Sequence, residues 1–109
     1  MHKQSQDLRE LVWYIEMLEK QGLVIPKELF TGTLQVLEFG ANKYEANNWL
    51  LPDGVNSDHK SMYGSIFRHV AEAYAGKERD TESRLPPAAH AQARLGMWMV
   101  RKARGLDGQ

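Results

Sequence analysis

The chain has 109 residues and no cysteine, and its 14 lysine and arginine residues balance 14 aspartate and glutamate residues. This length fits one domain over residues 1–109, with a core over about residues 7–104, and excludes disulfides, thiolate zinc sites and cysteine nucleophiles. Zero formal charge argues against duplex nucleic acid as a partner and mildly favours self-association. No stretch reads as a membrane span or signal peptide, so we expect a cytoplasmic protein without a membrane partner.

Helical spacing of apolar residues predicts the first two helices. The first runs from about Asp7 to Gln21, after Ser5 or Asp7 as the N-cap. Its apolar stripe contains Leu8, Leu11, Val12, Ile15 and Leu18. The second helix starts at Pro26 and continues through Tyr44. It retains Gly32 and Gly40, which indicates either close backbone approach to a neighbour or local irregularity.

Two further helices follow, each after a loop. A loop over Asn47–Asp58 leads to a third helix from Ser57 or Asp58 to about Ala75. A charged loop over Gly76–Pro87 leads to a fourth helix, from Pro86 to about Arg104. The predicted apolar stripes are Tyr63, Ile66, Phe67, Val70, Ala73 and Tyr74 on the third helix, and Ala88, Ala91, Leu95, Trp98 and Met99 on the fourth. Because no segment alternates as a strand does, the sequence predicts an all-α, four-helix arrangement.

The third helix carries a cluster of polar residues beside its apolar stripe. Arg68, His69 and Glu72 are three or four residues apart and share a face. The His-x-x-Glu spacing places a nitrogen and an oxygen ligand within one turn, which suits a divalent metal. A half-buried histidine paired with a carboxylate explains the same spacing without a metal.

Other acids and a second histidine extend this candidate site. His90 lies near the start of the fourth helix, and the charged loop brings Asp80 and Glu82 towards that end. Glu38 and Glu45 are seven residues apart on the second helix, which places them on one face and favours an oxygen-rich Mg²⁺ site. Carboxylates near a helix start and a solvated acidic face are the structural alternatives.

The stretch from Lys43 to Trp49 combines groups that hold a planar, charged ligand. Tyr44 and Trp49 offer stacking surfaces, Asn48 offers an amide for base edges, and Lys43 offers a charge for phosphate. An ordinary core role for the two aromatic residues is the alternative.

Several fragments together resemble a known family. They are Gly40-Ala41-x-Lys43-Tyr44, Asn48-Trp49, Arg68-His69, Gly76, Asp80-x-Glu82-Ser83-x-Leu85-Pro86 and His90-Ala91. In order and spacing they resemble the phage-associated dATP/dGTP diphosphohydrolase amino-terminal family, itself similar to the all-α MazG-like nucleoside triphosphate pyrophosphohydrolases. The resemblance spans roughly residues 25–100. A His-x-x-His pair common in the family corresponds here to Pro87 and His90, and the Glu-x-x-Asp of MazG-like enzymes is absent.

The resemblance implies Mg²⁺- or Mn²⁺-dependent cleavage of a purine deoxynucleoside triphosphate, and assembly into homo-oligomers in the cytosol of a phage host. It implies nucleotide contacts from Lys43, Asn48 and Trp49, and a polar site containing Arg68, His69, Asp80, Glu82 and His90. To the nucleotide contacts we add Tyr44 for stacking and Arg68 for the phosphates. We interpret His69, Asp80, Glu82 and His90 as catalytic, and Glu38, Glu45, Glu72 and Asp80 as metal ligands.

Two alternative functions fit the same sequence. The first is a nucleotide-binding module without catalysis, suggested by Pro87 at the position of a family histidine. The second is a helical interaction protein that acts on a host partner through Trp13, Met17, Met97 and Met99.

Overall fold

The computed structural model describes residues 5–106, and over that range the chain is all-α. The helices are α1 (Gln6–Lys20), α2 (Glu28–Lys43), α3 (His59–Tyr74) and α4 (Pro87–Ala103), with a short 3-10 helix (Asn48–Leu50) between α2 and α3. The predicted all-α class with four helices is therefore confirmed. No helix in the described range is long and apolar enough to cross a membrane.

Side-chain caps fix the starts of α1 and α3 as the sequence predicts. The Ser5 hydroxyl accepts a hydrogen bond from the Leu8 N–H at 3.1 Å. The Asp58 carboxylate accepts one from the Ser61 N–H, also at 3.1 Å. Each cap satisfies a backbone donor that the first helical turn leaves unpaired, so the helices begin at the next residue.

Helix α2 starts later than predicted and uses only one of its two glycines for close packing. Pro26 lies in a turn before the helix, which begins at Glu28. A Cβ on Gly32 would lie 2.9 Å from the Cβ of Ala89, so α2 approaches α4 closely there. A Cβ on Gly40 would meet nothing within 4 Å. Gly32 therefore sets the α2–α4 approach.

Helices α2 and α3 both pack on α4, and α3 runs antiparallel to α4. Trp98, late in α4, donates a hydrogen bond at 3.1 Å to His59, the first residue of α3. At the other end of the pair, the rings of His69 and His90 stack. The core consists of Val36, Met62, Ala89, Ala93 and Met97, with Leu37, Trp49, Leu85 and Trp98 packed against it.

The predicted apolar stripe of α3 is partly wrong. Phe67, Val70 and Tyr74 are exposed, whereas Met62, Ile66 and His69 are buried. The buried face is rotated because α4 covers a side of α3 that includes a histidine. A pattern based on apolar residues alone assigns that histidine to the surface.

The predicted stripe of α4 is also partly wrong. Leu95 and Met99 are exposed. The buried residues are Pro87, Ala89, His90, Ala91, Ala93, Met97 and Arg101. Small side chains on this face let two helices pack against α4, and two polar residues point inward with them. The buried face therefore includes a histidine and an arginine, which a search for apolar residues does not select, whereas the apolar residues Leu95 and Met99 lie outside it.

Helix α1 has no buried residue, although its predicted stripe is well formed. Leu8, Leu11 and Val12 keep 45%, 46% and 38% of their surface exposed. The extensive helix–helix packing in the described range joins α4 to α2 and α3 and does not include α1. Among residues 5–106, the apolar face of α1 is therefore left largely exposed.

Arg101 ties the loop between α2 and α3 to the end of α4. It is 1% exposed, and its Nη1 donates to the carbonyl oxygens of Trp49 and Leu51, both at 2.7 Å. Gly54 lets the loop fold tightly against itself, since a Cβ at this position would collide with the Asn48 carbonyl oxygen. Buried carbonyls need such partners, so Arg101 gives the loop a defined position.

Candidate nucleotide site

A cavity of about 700 Å³ opens between α2, α3, α4 and the loop that Arg101 anchors. Its lining includes most of the site residues that the sequence predicts: Lys43, Tyr44, Glu45, Asn48, Trp49, Arg68, His69, Asp80, Glu82 and His90. This volume lies in the range of small-molecule and cofactor sites. The fold thus brings together residues from four separate segments of the chain.

A group of potential metal ligands lies at one end of the cavity, where His69 and Asp80 line the wall and Glu72, which is not part of the lining, joins them. His69, Glu72 and Asp80 each offer one ligand atom, and these atoms lie within 4.8 Å of one another. One imidazole nitrogen and two carboxylate oxygens suit a divalent cation such as Mn²⁺ or Mg²⁺. The donor chemistry of this group therefore fits the ion that the family resemblance implies.

Hydrogen bonds orient His69 within this group. Its Nδ1 lies 3.0 Å from Glu72 Oε1, and its Nε2 lies 3.3 Å from Arg68 Nη2. Because arginine only donates, Nε2 accepts from Arg68 and Nδ1–H donates to Glu72. Lys77 pairs with the other oxygen of Glu72 at 3.3 Å. Each polar atom of this imidazole is thus held by a named neighbour.

Asp80 is fixed by the loop that carries it. Its Oδ2 accepts hydrogen bonds from the backbone N–H groups of Glu82 and Ser83, at 3.1 Å and 2.9 Å. Burial opposes ionisation of Asp80, but these bonds outweigh it and lower the pKa of the carboxyl group. At Glu72, burial is likewise outweighed by Lys77 and His69, and the pKa is lowered. Both carboxylates are therefore ionised at neutral pH.

Two histidines stack at this end of the cavity. The ring centroids of His69 and His90 lie 4.6 Å apart with an interplanar angle of 19°, and both residues are buried. Ser83 Oγ lies 2.5 Å from His90 Nε2. Burial lowers the pKa of both imidazoles; Arg68 adds to the effect at His69, and His69 adds to it at His90. Both rings are therefore neutral at pH 7 and able to accept a proton.

The other end of the cavity is formed by the anchored loop and the end of α2. Asn56 Nδ2 lies 3.4 Å from the Tyr44 hydroxyl, and Asn48 Nδ2 donates to the Val55 carbonyl oxygen at 3.4 Å. Trp49 is half-buried beside them. Aromatic surfaces and amides at one end, with ionised acids at the other, suit an amphipathic ligand such as a nucleotide.

Residues 17–108 match the family model for the dATP/dGTP diphosphohydrolase N-terminal domain. The chain belongs to this family. No curated protein and no solved structure matches the chain. The match to the dATP/dGTP diphosphohydrolase N-terminal domain includes every residue of the cavity and of the metal-ligand group.

Glu38 and Glu45 lie apart from the metal-ligand group. Helix α2 of this dATP/dGTP diphosphohydrolase domain ends at Lys43, so Glu45 lies in the following loop, exposed at the edge of the cavity. Glu38 is exposed on α2 and does not line the cavity. Because the helix ends at Lys43, before Glu45, the two acids do not share a helical face. Among the described residues, neither acid is in the group that could hold a metal.

The charged residues of the cavity differ in how they are paired. Lys43 forms an ion pair with Glu82 at 2.8 Å, in which both side chains are partly exposed. The hydrogen bond with Glu82 raises the pKa of Lys43. Arg68, by contrast, approaches an imidazole and no described carboxylate.

Ser65, Ser83 and Arg94 form hydrogen bonds in or beside the site and were not predicted from the sequence as site residues. Arg94 was the one with a signal, because it lies four residues after His90 and so faces the same side of α4. The serines carry no such signal, since their roles depend on where the loop and α4 place their hydrogen-bonding partners.

Of the four residues that the sequence suggested for an interaction surface, Met97 is buried, whereas Trp13, Met17 and Met99 are exposed.

Proposed function

We propose that this domain binds a purine deoxynucleoside triphosphate in the cavity and hydrolyses it to the monophosphate and pyrophosphate. The observation that carries the proposal is the convergence of His69, Glu72 and Asp80 at one end of a cavity whose other end is aromatic. Family membership supports the nucleotide as substrate. The ionised acids need a cation before a triphosphate can approach them, since like charges repel.

His69, Glu72 and Asp80 would hold the divalent cation, Mg²⁺ or Mn²⁺. When bound, such an ion neutralises phosphate charge and favours ionisation of a coordinated water. The chain's own residues bind the phosphates and the purine. Lys43 and Arg68 lie on the cavity wall, where their fixed charges stabilise the negative charge that builds on the phosphates. Tyr44 and Trp49 stack on the purine, and the Asn48 amide contacts its edge.

The bond that breaks joins the α-phosphorus to the bridging oxygen. A water oxygen attacks the α-phosphorus, and the pair of electrons in the broken bond leaves with pyrophosphate. The proton of the water passes to the neutral imidazole of His90, which stacks on His69 beside the acids. Glu82 lies on the cavity wall with Lys43 and keeps that lysine at the phosphates.

The experiment is a product assay on the purified chain. dATP and dGTP are incubated with Mg²⁺, with Mn²⁺, or with excess chelator, and the nucleotides and pyrophosphate are separated and quantified. We expect equal amounts of monophosphate and pyrophosphate, formed only with a divalent ion. Absence of both products at high enzyme concentration contradicts hydrolysis. Binding of the triphosphate without turnover in the same samples would instead support the nucleotide-binding module.

We also propose that the domain assembles as a homo-oligomer through α1. Helix α1 exposes an apolar stripe and no buried residue. An isolated 15-residue helix is only marginally stable in water, so α1 needs a partner that covers this stripe. The outer face of α3, with Phe67, Val70 and Tyr74 exposed, offers a second apolar surface of similar length. A second copy of the chain supplies both surfaces at once.

A further inference from the structure

Arg94 stands out among the charged residues of the cavity because its guanidinium is held in place but not neutralised. It lies on α4, one helical turn beyond His90, and lines the cavity. Its Nε donates to Ser65 Oγ at 3.2 Å, and its Nη2 donates to the Asn56 carbonyl oxygen at 2.9 Å. These bonds come from two different elements and fix the plane of the guanidinium. An arginine has five N–H donors, so the remaining ones are available to a ligand.

No carboxylate within residues 5–106 lies within 4.0 Å of this guanidinium. Burial lowers the pKa of Arg94, the charge of Arg68 adds to that effect, and Tyr44 and Asp58 oppose it from a distance. A partly buried charge without a counter-ion costs free energy, and such charges are frequent at ligand-binding sites. The geometry therefore calls for an anion beside Arg94.

The position of Arg94 along the cavity identifies which part of a nucleotide this anion is. Ser65 precedes His69 by one turn on α3, and Arg94 follows His90 by one turn on α4. Because the two helices are antiparallel, both residues lie about 5 Å from the histidine pair in the same direction, towards the anchored loop. Arg94 thus lies between the metal-ligand group and the aromatic end.

We propose that Arg94 binds the phosphate nearest the sugar, the one that remains on the monophosphate product. This inference rests on the proposed function, which places the outer phosphates of the nucleotide at His69, Glu72 and Asp80. It assigns two phosphate sites with different requirements. The outer site needs a divalent ion, whereas the Arg94 site carries its own positive charge and needs none. Arg94 thereby holds this inner phosphate without a metal ion.

The test compares a nucleoside monophosphate with its nucleoside in the absence of metal. Binding of dAMP, dGMP, deoxyadenosine and deoxyguanosine to the full chain is measured by calorimetry in excess chelator. We expect the wild type to bind each monophosphate about tenfold or more tightly than the nucleoside, as befits a charge-assisted hydrogen bond. Arg94→Gln brings the two affinities within about twofold. Arg104→Gln, an exposed arginine at the end of the same helix, leaves the preference unchanged.

Arg94→Lys keeps the positive charge but loses the planar arrangement of N–H donors of the guanidinium. We expect this variant to prefer the monophosphate over the nucleoside, but less strongly than the wild type. It provides a second test if Arg94→Gln does not fold. Equal affinity of the wild type for monophosphate and nucleoside, or no binding of either, overturns the proposal. A matching loss of both ligands in Arg94→Gln also overturns it, because Arg94 then only positions the Asn56 loop. Failure of triphosphate hydrolysis leaves this test intact, since it uses neither metal nor turnover.

Discussion

Helix α1 and the body formed by α2, α3 and α4 both carry apolar residues at helical spacing, but only the body contains buried residues. In the body, α4 is covered on two sides and presents small residues to both neighbours. In α1 every described residue is at least partly exposed. The difference shows that apolar periodicity predicts a helix in both regions but does not predict which of its residues the same chain buries.

The largest effect is expected in the body, at Asp80. Asp80→Asn keeps an oxygen for the N–H groups of Glu82 and Ser83 but removes the negative charge that a cation needs. We expect kcat for dATP and dGTP to fall at least about 100-fold, with little change in melting temperature. Steady-state product assays measure the change.

The matched control for this substitution is Asp53→Asn, which removes the same charge from an exposed loop position outside the cavity. Its turnover should equal that of the wild type. Equal turnover in the two variants would show that Asp80 has no part in the reaction, and that the packed body is a scaffold without a catalytic end.

The next effect concerns the uncovered helix. Leu11→Glu places a carboxylate in the α1 stripe, where it would have to be buried between copies. We expect the dissociation constant of the oligomer to rise by about 100-fold or more, measured by light scattering on a size-exclusion column. Gln6→Glu adds the same charge at the exposed start of α1 and should leave assembly unchanged. A wild-type chain that stays monomeric at high concentration would contradict assembly through α1.

A smaller effect is expected where α2 meets α4. Gly32→Ala places a methyl group 2.9 Å from the Ala89 Cβ, so the helices must separate. The free energy of unfolding should fall by about 1–3 kcal/mol in denaturant titrations. Gly40→Ala, on the same helix but with open space around it, should raise that free energy by roughly 0.5–1 kcal/mol. Stabilisation by both substitutions would show that the approach at Gly32 is loose.

The smallest effect is expected at the cap of α3. Hydrogen bonds from Ser61 lower the pKa of Asp58, so its contribution to stability is present above the ordinary carboxyl pKa and is lost as the pH falls through the lowered value. Asp58→Ala should therefore lower the melting temperature slightly at pH 7, and the difference from the wild type should vanish in strong acid. A difference that persists unchanged in acid would assign the effect to packing instead.

Much of the fold follows from residues that act locally. Ser5 and Asp58 cap their helices through bonds to backbone donors three residues away, and such bonds depend on short-range sequence alone. The burial pattern of α3 and α4 does not follow from local sequence, because polar side chains occupy buried positions on both helices. Arg101 is buried because the distant carbonyl oxygens of Trp49 and Leu51 accept its hydrogen bonds. His69 is buried because the ring of His90 on α4 stacks on it, which no pattern within α3 contains.

The candidate site was partly predictable for the same reason. His69 and Glu72 form their contact within one helical turn, so their spacing was sufficient to predict it. Asp80 joins them only because a turn in its loop directs the carboxylate inward, and Arg94 gains its role from Ser65 and Asn56 on other elements. Glu38 and Glu45 lost their shared face because α2 ends at Lys43.

A crystal structure of the full chain with Mn²⁺ and a non-hydrolysable dATP or dGTP analogue would locate the metal and the purine in one experiment. The predicted result is an anomalous Mn²⁺ peak within coordinating distance of His69, Glu72 and Asp80, with the purine against Trp49. A structure with the cavity empty and the metal bound elsewhere, at ligand concentrations that saturate the protein, would contradict the assignment of this cavity as a hydrolytic nucleotide site.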